Sequence, residues 1–158
     1  LSLYETLQPV LNRSADYWLQ RAKAVLNLEN DQKSLLEGVD YALKAYHESD
    51  RVRTIDNAEF TVALLYGKLC SVTRFGNSQY LTQAIEWFSK ALRNYHRNPR
   101  YVQTMLEGKS YRKNSFQELC EFLSQEISHS ALLPLRNEVQ YLTSTWRSWQ
   151  WQVRGSNH

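Results

Sequence analysis

The chain is poor in the residues that punctuate a fold. Its 158 residues include five Gly and three Pro. An all-β sandwich or barrel needs turn residues at short, regular intervals, so this scarcity argues for long helices instead. Cysteine is as sparse. Cys70 and Cys120 do not form a C-x-x-C pair, and each sits within an apolar stretch of helical spacing. They are expected as two buried, reduced thiols, which implies a reducing compartment, the cytoplasm. No apolar run approaches the roughly 18 residues of a membrane span, so no membrane association is expected. The opening Leu1-Ser2-Leu3-Tyr4-Glu5 lacks a basic region followed by an apolar stretch, and no signal peptide is expected. Leu1 is not Met, which leaves open a trimmed chain, a fragment of a larger protein or an unusual start.

What is present is a globular composition. Hydrophobic residues make up 42% of the chain and charged residues 22%, with five Trp and ten Tyr to fill a core. Periodicity then predicts a single all-helical domain over residues 1–158, an all-α bundle of about six to seven helices built from antiparallel hairpins. A first short helix is read from Ser2 to about Asn12, interrupted by Pro9. Ser14 is a candidate N-cap for a helix bearing Trp18, Ala22, Val25 and Leu26. Asn30-Asp31 breaks the pattern. A second face follows in Leu35, Leu36, Val39, Ala42, Leu43 and Tyr46.

Residues 50–55 read as a polar connector, with Asp56 capping the next helix and Glu59 three residues on. That helix, to about Val72, is apolar on two faces, Ala63-Gly67-Cys70 and Val62-Tyr66-Leu69, and should be central. Gly76-Asn77-Ser78 is a turn. Leu81, Ala84, Ile85, Phe88, Ala91, Leu92 and Tyr95 form the next stripe, ended at Asn98-Pro99. A short helical piece to Leu106 and an exposed basic loop over 108–114 follow. The box Ser115-Phe116-Gln117-Glu118 opens a helix to about Ser128. Pro134 suits the start of the last helix, whose stripe is Val139, Leu142, Trp146, Trp149 and Val153, with Trp151 off it.

A shift of 46 positions aligns two of the predicted hairpins. Gly38-Val39-Asp40-Tyr41 meets Ala84-Ile85-Glu86-Trp87, and Lys44-Ala45-Tyr46 meets Lys90-Ala91-Leu92. Asn30-Asp31 falls on Gly76-Asn77, and Trp18 on Leu64. On these small and aromatic positions, residues 58–92 resemble a tetratricopeptide repeat. Two features depart from that pattern: Arg21 stands where the second copy has Gly67, and the Pro expected after the second helix arrives only at Pro99.

The sequence offers no chemistry of its own. His47, His96, His129 and His158 are too scattered among the acids and cysteines for a zinc set. Gly108-Lys109-Ser110 matches the end of a phosphate-binding loop but lacks the upstream glycine and strand. The Arg–His spacing of all-helical nucleases is missing, since Arg93 and His96 are three apart. No catalytic residue, metal or cofactor is therefore expected, and the chain reads as a binding subunit.

Charge is the most informative feature. Residues 1–50 carry five Lys/Arg and eight Asp/Glu, net −3; residues 51–113 carry eleven and four, net +7; residues 114–158 carry three and four, net −1. Within the middle third, Lys90, Arg93, Arg97, Arg100, Lys109, Arg112 and Lys113 stand against Glu107 alone, with Tyr95, Tyr101 and Tyr111 interleaved. Cations neutralise phosphates and release counterions, while aromatic faces stack on unpaired bases. Tyr95 continues an apolar stripe and belongs to the core, which leaves Tyr101 and Tyr111 as candidate stacking residues. The competing readings are a solvated helix end favoured by the helix dipole and a surface for an acidic protein partner. No base-reading motif occurs, so recognition of the backbone of single-stranded DNA or RNA, without sequence preference, is expected.

This short, basic, all-helical profile, with its run from Lys90 to Lys113, resembles the small subunit of type I CRISPR surveillance complexes of the Cascade kind. The resemblance implies a role in antiviral defence, in which copies stack with other protein subunits along guide RNA and hold target or displaced DNA. The alternative reading is a helical-repeat scaffold for a protein or peptide. A toxin-like helical ribonuclease is disfavoured by its missing motif.

Overall fold

The computed structural model describes residues 14–49, 52–94, 110–125 and 130–156. Among them are six α-helices and no strand: α1 (Ala15–Leu28), α2 (Gln32–Glu48), α3 (Val52–Val72), α4 (Ser78–Asn94), α5 (Ser110–Gln125) and α6 (Arg136–Ser156), the last preceded by a 3₁₀ segment, Ser130–Leu135. The fold is an all-α helical bundle, as the periodicity predicts. The predicted first helix, the piece to Leu106, and Tyr95, Asn98 and Pro99 lie outside the described residues, as do the side chains of Trp149, Trp151 and Val153.

Three hairpins, α1–α2, α3–α4 and α5–α6, pack side by side, and α3 touches α1, α2, α4 and α5. Its two apolar faces explain this. Val62, Ala63, Leu64, Leu65, Leu69 and Cys70 are all essentially inaccessible, together with Phe60. Gly67 lets α3 approach its neighbours closely. A β-carbon there would stand 2.7 Å from Ser115 Oγ on α5 and 3.2 Å from Phe88 on α4. The stripe of α4 is buried throughout from Leu81 to Leu92, and Val139 and Leu142 bury the start of α6.

Several expected boundaries differ. α3 begins at Val52, so the predicted cap Asp56 lies inside it. The extra turn is held by Thr54, a buried residue whose hydroxyl donates to the Asp16 carboxylate of α1 at 3.1 Å. α5 begins at Ser110, five residues before the predicted cap, so residues 110–114 are helical and not a loop. Ser115 does not act as a cap because it is buried against Gly67, and its hydroxyl has no hydrogen-bond partner. Pro134 falls within the 3₁₀ segment instead of opening α6. On α2, Leu36 belongs to the rim and is exposed, while Gly38 and Ala45 are buried.

The 46-residue shift also relates the bounds of α2 and α4. Gln32–Glu48 and Ser78–Asn94 superimpose in number end to end, each 17 residues long. Their N-terminal caps coincide too. Asp31 Oδ2 accepts from the Ser34 amide at 3.0 Å, and Asn77 Oδ1 accepts from the Gln79 and Tyr80 amides at 3.0 and 3.1 Å.

Candidate nucleic-acid interface

The basic run begins at the end of α4. Lys90 is exposed, and its ammonium lies 4.7 Å from the ring centre of Tyr46 on α2 and 4.9 Å from that of Trp87. Arg93 is also exposed but turns the other way. Its Nε donates to Ser89 Oγ at 3.3 Å, and its guanidinium lies 4.3 Å from the ring centre of Tyr141 on α6. Burial raises the Tyr141 hydroxyl above its ordinary pKa, with Arg93 acting in the opposite sense. The two cations thus lean on opposite neighbours of α4 and do not converge on one point. Each such contact is worth about 0.5–1 kcal/mol at an exposed site.

The run resumes in the first turns of α5, which carry Tyr111, Arg112 and Lys113. Ser115 faces Gly67, the Ser71 hydroxyl donates to Glu118 at 2.6 Å, and Phe75 stacks on Phe122 at 4.6 Å. These successive pairs make α5 parallel to α3 and so antiparallel to α4. Phe88 and Phe116, 5.1 Å apart, link α4 to α5 directly. The end of α4 and the start of α5 therefore emerge from the same end of the bundle. Arg112 and Lys113 sit at the positive end of a helix dipole, where cations are disfavoured, so the dipole does not account for this half of the run. Arg97, Arg100, Tyr101 and Lys109 lie outside the described residues.

Sequence reasoning missed a series of aromatic–cation contacts along α1, α2 and α4. Lys44 Nζ lies 4.1 Å from the Trp18 ring, which stacks on Tyr41 at 5.6 Å and 25°. Arg21 covers the Tyr41 ring at 4.3 Å and donates to the Tyr41 hydroxyl at 3.0 Å and to that of Tyr17 at 3.3 Å. Tyr46 and Trp87 meet edge to face at 5.3 Å. The signal was in the repeat: Lys44 aligns with Lys90, and Tyr41 with Trp87.

Cys70 and Cys120 are free and buried; burial pushes the Cys70 thiol up to about 12 and the Cys120 thiol up as well, so neither is a nucleophile near neutral pH. Among the described residues no group of His, Cys, Asp and Glu could hold a metal ion, and no helix is long and apolar enough to cross a membrane. A shallow depression of about 600 Å³ lies between α2 and α4, lined by Leu36, Tyr66, Tyr80, Gln79 and Gln83. A smaller one, about 430 Å³, lies on α2 beside Asp40, Lys44 and His47. No family model, no curated protein and no solved structure matches the chain.

Proposed function

We propose that the chain is a non-catalytic subunit of a larger ribonucleoprotein assembly, one that grips the phosphate backbone of guide RNA or of target or displaced DNA without sequence preference. The supporting observation is the shared end of the bundle from which α4 and α5 emerge. Lys90 and Arg93 close one helix there, and Arg112 and Lys113 open the other. Along the sequence they belong to a run of seven cations within 24 residues, a charge density suited to a phosphate backbone. The Cascade-type complex that the profile resembles is the assembly in which this role is proposed. Two free, buried thiols fit a cytoplasmic setting.

The test is fluorescence polarisation of a labelled single-stranded oligonucleotide at several salt concentrations. Binding is expected to weaken with a log–log slope of about −0.7 per phosphate contacted. Charge reversal of Arg93, Arg112 and Lys113 should reduce both affinity and slope. Absence of binding at low salt, or binding untouched by the triple reversal, would overturn the proposal.

A second reading is favoured by one observation, the coincidence of α2 and α4 and of their caps at a spacing of 46 residues. Stacked equivalent hairpins are the substance of helical-repeat scaffolds, which hold a protein or peptide along a continuous surface. Recovery of a stoichiometric protein partner after nuclease treatment would support this reading over the first.

A further inference from the structure

We infer that Tyr46 and Trp87, beneath Lys90, form a base-stacking seat, so that the nucleic acid held at the end of α4 is single-stranded and is gripped by its bases as well as its phosphates. This inference rests on the phosphate-binding role proposed above. Lys90 joins the two sites. It belongs to the basic run, and its ammonium covers both rings at 4.7 and 4.9 Å.

The rings come from different hairpins, Tyr46 from the last turn of α2 and Trp87 from α4, and meet edge to face at 88°. Both are half-buried, packed against the core and still partly accessible. The indole is further fixed by its Nε1–H, which donates to Gln83 at 3.2 Å. A held ring offers stacking area at little entropic cost, and any base can use it because every base has a π-face. Duplex DNA keeps its bases stacked inside and cannot reach such a seat.

Charge defines the path of the strand. Glu86 is exposed one turn before Lys90, and Arg93 lies one turn after it. Phosphates are therefore drawn to the Arg93 side of Lys90, toward the end of the bundle where α5 begins. The accessible parts of the two half-buried rings are left for bases. The candidate stackers Tyr101 and Tyr111 are not needed for this arrangement.

The experiment compares a labelled 12-residue thymidine oligomer with an abasic oligomer of the same length and charge, each titrated with the full chain at low salt. The thymidine oligomer should bind about tenfold more tightly, within the range that one stacked base supplies. Trp87→Leu and Tyr46→Leu should each erase that preference while leaving the affinity for the abasic oligomer unchanged. Circular dichroism identifies a variant that fails to fold, and the two substitutions on different helices guard against such a loss. Equal affinity for both oligomers, or a preference that survives both substitutions, would overturn the stacking seat while leaving phosphate binding intact. Failure of either oligomer to bind would overturn both.

Discussion

Asp31 and Asn77, 46 positions apart, perform the same task at the same place in two hairpins. Asp31 Oδ2 accepts from the amide of Ser34 and Asn77 Oδ1 from the amide of Tyr80, the third residue in each case. One cap is an acid and the other an amide, so only the first titrates. The Ser34 amide, foremost, holds the Asp31 carboxyl below its ordinary value of 3.8. A depressed pKa in the folded state means stability that is present above the unfolded value and lost as pH falls through the folded one. Asp31→Asn should therefore match the parent protein near neutral pH and lose less stability than it does on acidification below about pH 4. Urea denaturation at both ends of that range measures the difference. Parallel losses would show that Asp31 does not cap in solution.

The Asn77 cap is the cleaner test of the α3–α4 turn. Asn77→Ala removes acceptors for the Gln79 and Tyr80 amides and should cost about 1 kcal/mol. Just before it, Arg74 and Phe75 take left-handed backbone with φ of 53° and 60°. Phe75 is held by its stack on Phe122, whereas Arg74 is exposed. Arg74→Gly keeps the bond from the residue 74 amide to the Ser71 carbonyl and should therefore stabilise the protein by about 0.5–1 kcal/mol by relieving the left-handed strain. A fall in thermal midpoint would contradict this.

Gly67 and Ser115 make a coupled pair at the crossing of α3 and α5. Gly67→Ala introduces a β-carbon 2.7 Å from Ser115 Oγ, and overpacking of this kind costs about 1–3 kcal/mol, offset in part by the better helix propensity of alanine. Ser115→Ala removes a buried hydroxyl with no hydrogen-bond partner and should be neutral or stabilising. The double variant should recover at least about 0.5 kcal/mol relative to the sum of the single changes. Additivity would mean that the strain of Gly67→Ala falls on Phe88 instead.

The pattern of hits and misses follows from what periodicity can carry. The stripes of α3 and α4 were legible because a helix buried on one or two faces repeats its apolar residues along the chain, and Phe88, Leu69 and Ile85 are buried accordingly. Helix starts were misplaced where a tertiary contact decides them. Thr54 extends α3 backwards by reaching Asp16 on another helix, and Ser115 abandons its predicted cap to sit against Gly67. Neither partner is near in sequence. The candidate site was legible as charge, since a run of cations needs no fold to be counted. Its aromatic half was not, because Tyr46 reaches Lys90 across 44 residues, and only the alignment of Lys44 with Lys90 pointed to it.

That alignment also supplies the sharpest functional contrast. Lys44 and Lys90 are equivalent in the repeat, each with its ammonium over aromatic rings, Trp18 for one and Tyr46 with Trp87 for the other. They differ in setting. Each follows an exposed acid by one turn, Asp40 and Glu86, but Lys90 is followed by Arg93 and the basic run, whereas Lys44 is followed one turn later by exposed Glu48. If the chain grips phosphates at the end of α4, Lys90→Glu should weaken oligonucleotide binding severalfold and lower the salt slope by about 1, while Lys44→Glu leaves both nearly unchanged. A helical-repeat scaffold predicts otherwise, because equivalent positions on successive hairpins line one continuous surface. Loss of a protein partner on either substitution, with no effect on oligonucleotide affinity, would favour the scaffold. Polarisation and partner capture on the same two variants therefore separate the readings at a single pair of residues.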